Sequence, residues 1–160
     1  MILLSDLTQR GFCIENANAN DLQDYVQVIR ACLKKYVDVD RESFGEWNDE
    51  NVVNEFYIKT KRTFFGKLLH HGEVAGFLAY DIKDDRIDGI SINLIEKVRN
   101  NGIGSLYLTY IIKLADKQSK PIFLKVMKTN PAVYLYTRLG FKHHKDFPGL
   151  HQMIYNPVSQ

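Results

Sequence analysis

The stretch IDGISINLIEKVRNNGIGSLYLTYIIKL, residues 87–114, decides the fold, because it joins a strand to a helix through a glycine loop. Ile87 to Leu94 carries the alternating apolar residues that are typical of a strand. Beyond the loop, apolar residues recur at helical spacing and form one stripe: Ile103, Leu106, Tyr107, Tyr110, Ile111 and Leu114. A further strand-like run, Pro121 to Met127, follows the helix. Strand, loop, helix and strand in this order predict a right-handed parallel crossover.

The loop Arg99-Asn100-Asn101-Gly102-Ile103-Gly104 has the properties of a phosphate receptor. Gly102 and Gly104 allow a tight turn and leave backbone N–H groups unshielded. The helix that follows begins with unpaired N–H donors and the positive end of its dipole, which together attract an anion. Glycine before a helix is also ordinary turn geometry, so the loop alone leaves both interpretations open.

Two common phosphate loops are excluded by the same residues. The third glycine of a dinucleotide-binding fingerprint would fall at position 107, which is Tyr107. No Gly-Lys-Ser/Thr sequence follows the loop, so it is not a nucleoside-triphosphate loop of the Walker type.

A second motif, NPAVYLYTRLGF at residues 130–141, predicts a helix of about two to three turns between two strands. Asn130 is a suitable N-cap, and Pro131 suits the first helical position because its missing N–H is no loss there. Gly140 ends the helix as a C-terminal cap, and Phe141 begins the next strand.

The two motifs together resemble the GNAT superfamily of acyl-CoA-dependent N-acyltransferases. The resemblance rests on Arg99-x-x-Gly102-x-Gly104, followed after one strand by Asn130-Pro-Ala-x-x-Leu135-Tyr136-x-x-x-Gly140-Phe141, and it extends from about Asp21 to Tyr155. Asn100 stands where many relatives have glycine, but asparagine tolerates left-handed backbone geometry. Asn130 is one residue closer to Ala132 than in the commonest pattern.

The resemblance implies a role for each matching residue. Acetyl-CoA is the implied co-substrate, with its pyrophosphate on the loop of Arg99, Asn100, Asn101, Gly102, Ile103 and Gly104. Leu94 supplies a backbone N–H that polarises the thioester carbonyl, and Asn130 lies near the pantetheine arm. Tyr136 lies near the sulfur, where a tyrosine with an ordinary pKa near 10 can protonate the leaving thiolate.

The general base has two candidates. Asp88 stands eleven residues before Arg99, where many relatives carry a strand carboxylate, and it could act through water. The alternative for Asp88 is a structural aspartate in a turn or at a strand edge. His151 is the second candidate, with a satisfied or exposed surface histidine as its alternative.

The acceptor pocket is expected between the first two long helices. Its candidate walls are Tyr36, Phe44 and Trp47, and its candidate groups for attracting a cationic amine are Glu42, Glu46 and Asp49. Aromatic lids over the core, with a solvated acidic face beside them, explain the same residues equally well.

Composition is that of one domain spanning residues 1–160. The chain is 45% hydrophobic with a net charge of +2, which gives no reason to expect nucleic acid or a membrane as a partner. Its two cysteines and its histidines show no metal-ligand spacing, so no metal is expected. The first residues lack the basic segment of a signal peptide, and a cytoplasmic location is expected.

The remaining segments predict an α/β chain of mixed (α+β) character. Gly11–Ile14 is a candidate first strand, Asn20 and Asn48 are candidate helix caps, and a hairpin turns at Gly72. We therefore expect a central mixed, mostly antiparallel, twisted sheet with helices on both faces, which the resemblance also implies.

The function expected from the sequence is acetyl transfer from acetyl-CoA to a primary amine of a small molecule or a peptide. One alternative keeps the chemistry and uses a longer acyl group. Another is a non-catalytic acyl-CoA-binding or interaction domain, against which the presence of both Asn130 and Tyr136 argues. A homodimer is compatible with the sequence, which does not demand one.

Overall fold

The computed structural model describes residues 4–159, which form six α-helices and a seven-stranded sheet. The helices are α1 Leu4–Gln9, α2 Leu22–Asp38, α3 Arg41–Phe44, α4 Asp49–Lys59, α5 Ile103–Gln118 and α6 Ala132–Arg138. The strands are β1 Phe12–Asn16, β2 Phe64–His70, β3 Glu73–Ile82, β4 Ile87–Leu94, β5 Ile122–Met127, β6 Lys142–Phe147 and β7 Leu150–Tyr155. Residues 1–3, which include part of the segment judged not to be a signal peptide, lie outside the described residues.

The sheet has the strand order β1-β2-β3-β4-β5-β7-β6, and its neighbours are antiparallel except for the pair β4 and β5. This confirms the predicted mixed, mostly antiparallel sheet. The parallel pair is in register at one position, Ile87 with Ile122, near the start of both strands. Beyond that position β4 and β5 separate, so the middle of the sheet has an opening.

Helices cover both faces of the sheet because β3 alternates its side chains between two apolar clusters. Leu78 and Tyr80 pack with α5, whereas Phe77 and Ala79 pack with α2 and α4. Each large side chain buried in this way contributes on the order of 1.5–3 kcal/mol of transfer free energy. The two clusters therefore fix the helices on either side of the opening.

Helix α5 buries a wider face than the predicted stripe. Ile103, Tyr107 and Ile111 are buried as expected, but Leu108 and Ala115 are fully buried as well. The Tyr107 hydroxyl donates a hydrogen bond to the Ala79 carbonyl of β3. Among residues 4–159, no helix combines the length and the apolar character that crossing a membrane requires.

The start of α2 differs from the prediction. The capping residue is Asn18 rather than Asn20, and it caps a 3₁₀ turn, Ala19–Asp21, that precedes the α-helix. Asn18 Oδ1 accepts from the Asn20 N–H, and the Asp21 carboxylate accepts from the Asn18 N–H. The predicted cap at Asn48 is confirmed by its hydrogen bond from the Glu50 N–H at 2.8 Å.

Candidate active site

The loop after β4 has left-handed backbone geometry at two positions, Asn100 (φ +61°) and Gly102 (φ +77°). Asn100 therefore adopts the conformation for which asparagine is the best-tolerated substitute for glycine. A Cβ on Gly102 would meet no atom within 4 Å, because this position faces open space. A Cβ on Gly104 would lie 3.2 Å from a Leu135 methyl and 3.3 Å from an Ile92 methyl. Gly104 thus allows α5 to pack closely against α6 and β4.

Arg99 and Asn101 also hold the loop in place. Arg99 is half-buried, and its Nε donates to the Leu94 carbonyl at 2.8 Å while Nη2 contacts Cys32 Sγ at 3.6 Å. Burial raises the pKa of the Cys32 thiol, although the neighbouring Arg99 opposes that shift. The Asn101 side chain donates to the Val98 carbonyl at 3.2 Å. Arg99 therefore places positive charge beside the end of β4, and Asn101 fastens the loop to the turn before it.

The loop borders a cavity of about 590 Å³, here called the loop cavity. It brings together most of the residues that the sequence assigned to coenzyme binding: Leu94, Arg99, Asn100, Gly102, Ile103, Gly104 and Asn130. Asn101 is the exception, because it is exposed and does not line the cavity.

A second cavity of about 310 Å³, here called the inner cavity, lies where β4 and β5 separate. Leu33, Ile92, Asn93 and Asn130 line both cavities, so the two are adjoining compartments of one cleft. The volume of the inner cavity suits a small ligand or a single side chain.

Tyr136 lines the inner cavity from α6 and is 7% exposed. Its ring meets Phe141 edge to face at 5.9 Å, which limits its movement. Burial raises the pKa of Tyr136 to about 12, so the hydroxyl stays protonated throughout the neutral range. Asn130 Oδ1 accepts from the Ala132 N–H at 2.9 Å and orders the start of α6. The chain thus presents a protonated phenol at one wall of the inner cavity.

Asp88 lies away from Tyr136. Its carboxylate is 2.8 Å from Lys83 Nζ and 3.2 Å from Arg86 Nε, and it lines a further cavity with these two residues. That cavity shares part of its lining, including Lys59, with the inner cavity. The physical reason is its position beside Ile87, where β4 and β5 are still paired and the cleft has not yet opened. The structure therefore does not bring Asp88 into the inner cavity, and its role as the base stays a prediction.

His151, the other candidate base, belongs to a cluster on the β6–β7 hairpin. Its Nδ1 lies 2.7 Å from Asp146 Oδ1, and His143 Nε2 lies 3.0 Å from the same oxygen. These hydrogen bonds lower the pKa of Asp146 to about 2. The three side chains offer atoms that could bind a metal, and these atoms lie within 4.8 Å of one another. The spacing of these residues in the sequence did not indicate the cluster, because it forms only when β6 pairs with β7. His151 lines neither compartment of the cleft.

The residues predicted to form the acceptor walls are distributed over three places. Trp47 lines the inner cavity, Tyr36 lines the loop cavity, and Phe44 packs near Gly149 in the β6–β7 turn. Asp49 accepts from Trp47 Nε1 at 2.7 Å and pairs with Arg30, which together hold its pKa below the ordinary value.

The acidic residues predicted for the acceptor pocket lie elsewhere. Glu42, Glu46 and Asp49 do not line the inner cavity, and its carboxylate is Glu55. The sequence places the three acids beside aromatic residues, but they stand before and at the start of α4, whereas the cavity wall is formed further along that helix.

Lys59 is a residue that sequence reasoning missed. It is 7% exposed and lines the inner cavity, where its Nζ is 2.6 Å from Tyr25 Oη and 3.0 Å from Ser91 Oγ. Burial lowers the pKa of Lys59 to about 8. Lys59 follows Val52 and Phe56 at helical spacing, so its place on the buried stripe of α4 could have been recognised from the sequence.

The chain is similar to known proteins in its sequence and in its fold. A family model, the Acetyltransferase (GNAT) family, matches residues 32–141. This match covers more than half of the chain, and the chain belongs to that family. No curated protein sequence matches the chain.

Several solved structures share the fold. The PaiA N-acetyltransferase from Thermoplasma acidophilum in complex with coenzyme A superposes with a TM-score of 0.68 at 18% identity, covering 91% of this chain and 98% of that one. The ribosomal-protein-S18-alanine N-acetyltransferase from Escherichia coli gives 0.66 at 18% identity, over 93% and 95%. YncA from Salmonella typhimurium, solved with acetyl-CoA, gives 0.62 at 13% identity, over 94% and 96%. At these identities the likeness concerns the fold alone.

Proposed function

We propose that the chain is an N-acetyltransferase that moves the acetyl group of acetyl-CoA to a primary amine by direct attack on the thioester. The observation that carries the proposal is the two-compartment cleft. One compartment has a backbone loop suited to a pyrophosphate, and the adjoining one holds a protonated buried tyrosine.

The loop cavity fits coenzyme A in its chemistry. Gly102 faces open space and begins α5, so unshielded N–H groups and the helix dipole are available to a pyrophosphate. The solved relatives that carry coenzyme A or acetyl-CoA support this use of the cleft. The gap between β4 and β5 gives the narrow pantetheine arm a path from the loop to Tyr136.

The residues of the two compartments then have distinct tasks. Bound acetyl-CoA supplies an activated acetyl group as a thioester. The N–H of Leu94 polarises the carbonyl while the neutral amine attacks its carbon. As the carbon–sulfur bond breaks, Tyr136 gives its proton to the departing thiolate, a contribution of about 10²–10⁴-fold for general acids. The proton lost by the amine passes to solvent or to a base, and Tyr136 is reprotonated before the next cycle.

A thiol-release assay with acetyl-CoA and a panel of primary amines tests the proposal. Wild-type protein is expected to release coenzyme A only when an accepted amine is present, with one acetylated amine formed for each thiol. Propionyl-CoA and butyryl-CoA in the same assay test the longer-acyl alternative. Tight acetyl-CoA binding without product from any amine would favour the non-catalytic alternative.

A further inference from the structure

The inner cavity is unusually rich in positive charge and hydrogen-bond donors for a site that accepts amines. Its charged lining residues are Lys59, Lys125 and Glu55, so cations outnumber carboxylates. Lys59 is the buried one of the three, whereas Lys125 and Glu55 are exposed. An ammonium in such a position is costly unless a counter-ion accompanies it.

Lys59 has no such counter-ion within the part of the chain that the structure describes. No carboxylate of residues 4–159 forms an ion pair with its Nζ, which instead donates to the oxygens of Tyr25 and Ser91. An ammonium has three N–H donors, so one remains without an acceptor.

The two hydroxyl partners add further donors. Tyr25 Oη and Ser91 Oγ both accept from Lys59, and Ser91 Oγ also accepts from Asn93 Nδ2 at 3.0 Å. Their own O–H groups find no acceptor in the hydrogen-bond network of residues 4–159. Tyr25, Lys59, Ser91 and Asn93 all line the inner cavity. Several unused donors therefore converge on one cavity wall, where buried donors require an acceptor.

We propose that this wall binds the carboxylate of the acceptor, so that the substrate is a small amino acid or amino-carboxylate rather than a simple amine or a polyamine. The inference rests on the proposed function and names its substrate class. A carboxylate offers two oxygens with about four lone pairs, which match the donors of Lys59, Tyr25 and Ser91. Anchored there, the acceptor directs its amine across the cavity toward the wall that carries Tyr136.

Matched substrates test the proposal by turnover. Short ω-amino acids are compared with their carboxamides, which keep the amine and the chain length but remove the negative charge. Wild-type protein is expected to prefer the acid by about tenfold or more in kcat/KM, since charge-assisted hydrogen bonds are the strong ones. Lys59→Met should abolish this preference, because kcat/KM falls by a larger factor for the acid than for the carboxamide.

Lys113→Met, an exposed lysine on α5, makes the same change in net charge and should keep the acid preference. Ser91→Ala removes one donor without removing the charge and should reduce the preference partly, which provides a second variant if Lys59→Met does not fold. Equal kcat/KM for acid and carboxamide in wild-type protein, or an undiminished acid preference in Lys59→Met, would overturn the proposal.

A binding measurement separates this proposal from the proposed function. Protein saturated with coenzyme A is titrated with butyrate, which has the carboxylate but no amine. Saturable butyrate binding by wild type that is lost in Lys59→Met supports the carboxylate site even without turnover. Coenzyme binding and turnover on amines together with equal or absent butyrate binding in both proteins would overturn the site and leave acetyl transfer standing.

Discussion

The loop cavity and the inner cavity are built in opposite ways. The phosphate-binding features proposed for the loop cavity come from one short segment, residues 99–104, in which glycines leave backbone N–H groups unshielded. The inner cavity takes polar side chains from α2, α4, β4 and α6, which are far apart in the sequence. A loop that binds a ligand through its backbone is therefore encoded by one short segment of sequence. A site that binds a ligand through side chains depends instead on how the helices pack. A shared coenzyme and a chain-specific acceptor are the expected functional counterparts of this difference.

Tyr136→Phe should produce the largest effect, and it separates chemistry from coenzyme binding. The ring and its contact with Phe141 are retained, while the proton donor is lost. We expect kcat to fall by about 100-fold or more, with coenzyme affinity within a few-fold of wild type, because the hydroxyl acts mainly in the transition state. Steady-state kinetics and calorimetry measure the two quantities; a parallel loss of affinity would indicate that Tyr136 has a binding role instead.

Gly102→Val tests the loop cavity, and its main effect should be on coenzyme affinity rather than on the chemical step. The position has φ +77°, which a β-branched residue adopts only with strain, and the new side chain would occupy the open space in front of α5. Coenzyme A affinity is expected to fall by about tenfold or more, whereas butyrate binding to the inner cavity should change little. Calorimetry measures the affinity of both proteins for coenzyme A. Unchanged affinity in the variant would mean that the loop does not bind the coenzyme.

Lys59→Met should change how stability depends on pH. Because the folded-state pKa of Lys59 is about 8 and its ordinary value is 10.5, the unfolded chain holds more protons between these values. The contribution of Lys59 to the free energy of unfolding of wild type therefore increases as pH rises from about 8 to 10.5. Glu55, Arg62, Tyr25 and Lys125 are the neighbouring charged or titratable groups, and they are common to both proteins.

The free energy of unfolding of wild type, measured relative to that of Lys59→Met, should increase by about 1 kcal/mol from pH 7 to pH 9. Urea unfolding of both proteins at the two pH values measures this difference. A difference that does not change with pH would mean that the pKa of Lys59 is not lowered in the folded protein.

Asp88→Asn should have the smallest effect. Its two ion pairs, with Lys83 and Arg86, are partly exposed, so their loss is expected to cost about 0.5 kcal/mol of stability. Because Asp88 lies outside the inner cavity, kcat/KM should stay within about twofold. Disappearance of the acidic limb of the pH–rate profile in this variant would instead assign Asp88 the role of base.

Much of the fold could be predicted from local signals. The bounds of β4 agree with the prediction, and those of β5 agree within a residue, because apolar alternation marks both strands. The predicted hairpin at Gly72 joins β2 to β3. The helices α1 and α3 were missed, since six and four residues are too few to show periodicity. The cap of α2 was misplaced because a 3₁₀ turn precedes the helix.

For the site, the sequence indicated the residues that belong to short motifs but not those that only packing brings together. With the exception of Asn101, the loop residues and Asn130 meet in one cavity as expected, because their motifs place them at a helix start and a strand end. Lys59 and Ser91 were not recognised, since only the packing of α4 against β4 brings their side chains together. Acidic residues near Trp47 suggested a cationic acceptor, but Asp49 is engaged by Arg30 and the cavity wall carries Lys59 instead.

Single-turnover kinetics test the central claim most directly. Protein saturated with acetyl-CoA is mixed with an accepted amine, and the acetylated product is followed by mass spectrometry in wild type and in Tyr136→Phe. This design avoids masking of the chemical step by slow product release. Rapid transfer of one acetyl group per site in wild type, slowed by about 100-fold or more in the variant, is the predicted result. Equal transfer rates in the two proteins would contradict the account of Tyr136 as the acid at the centre of the cleft.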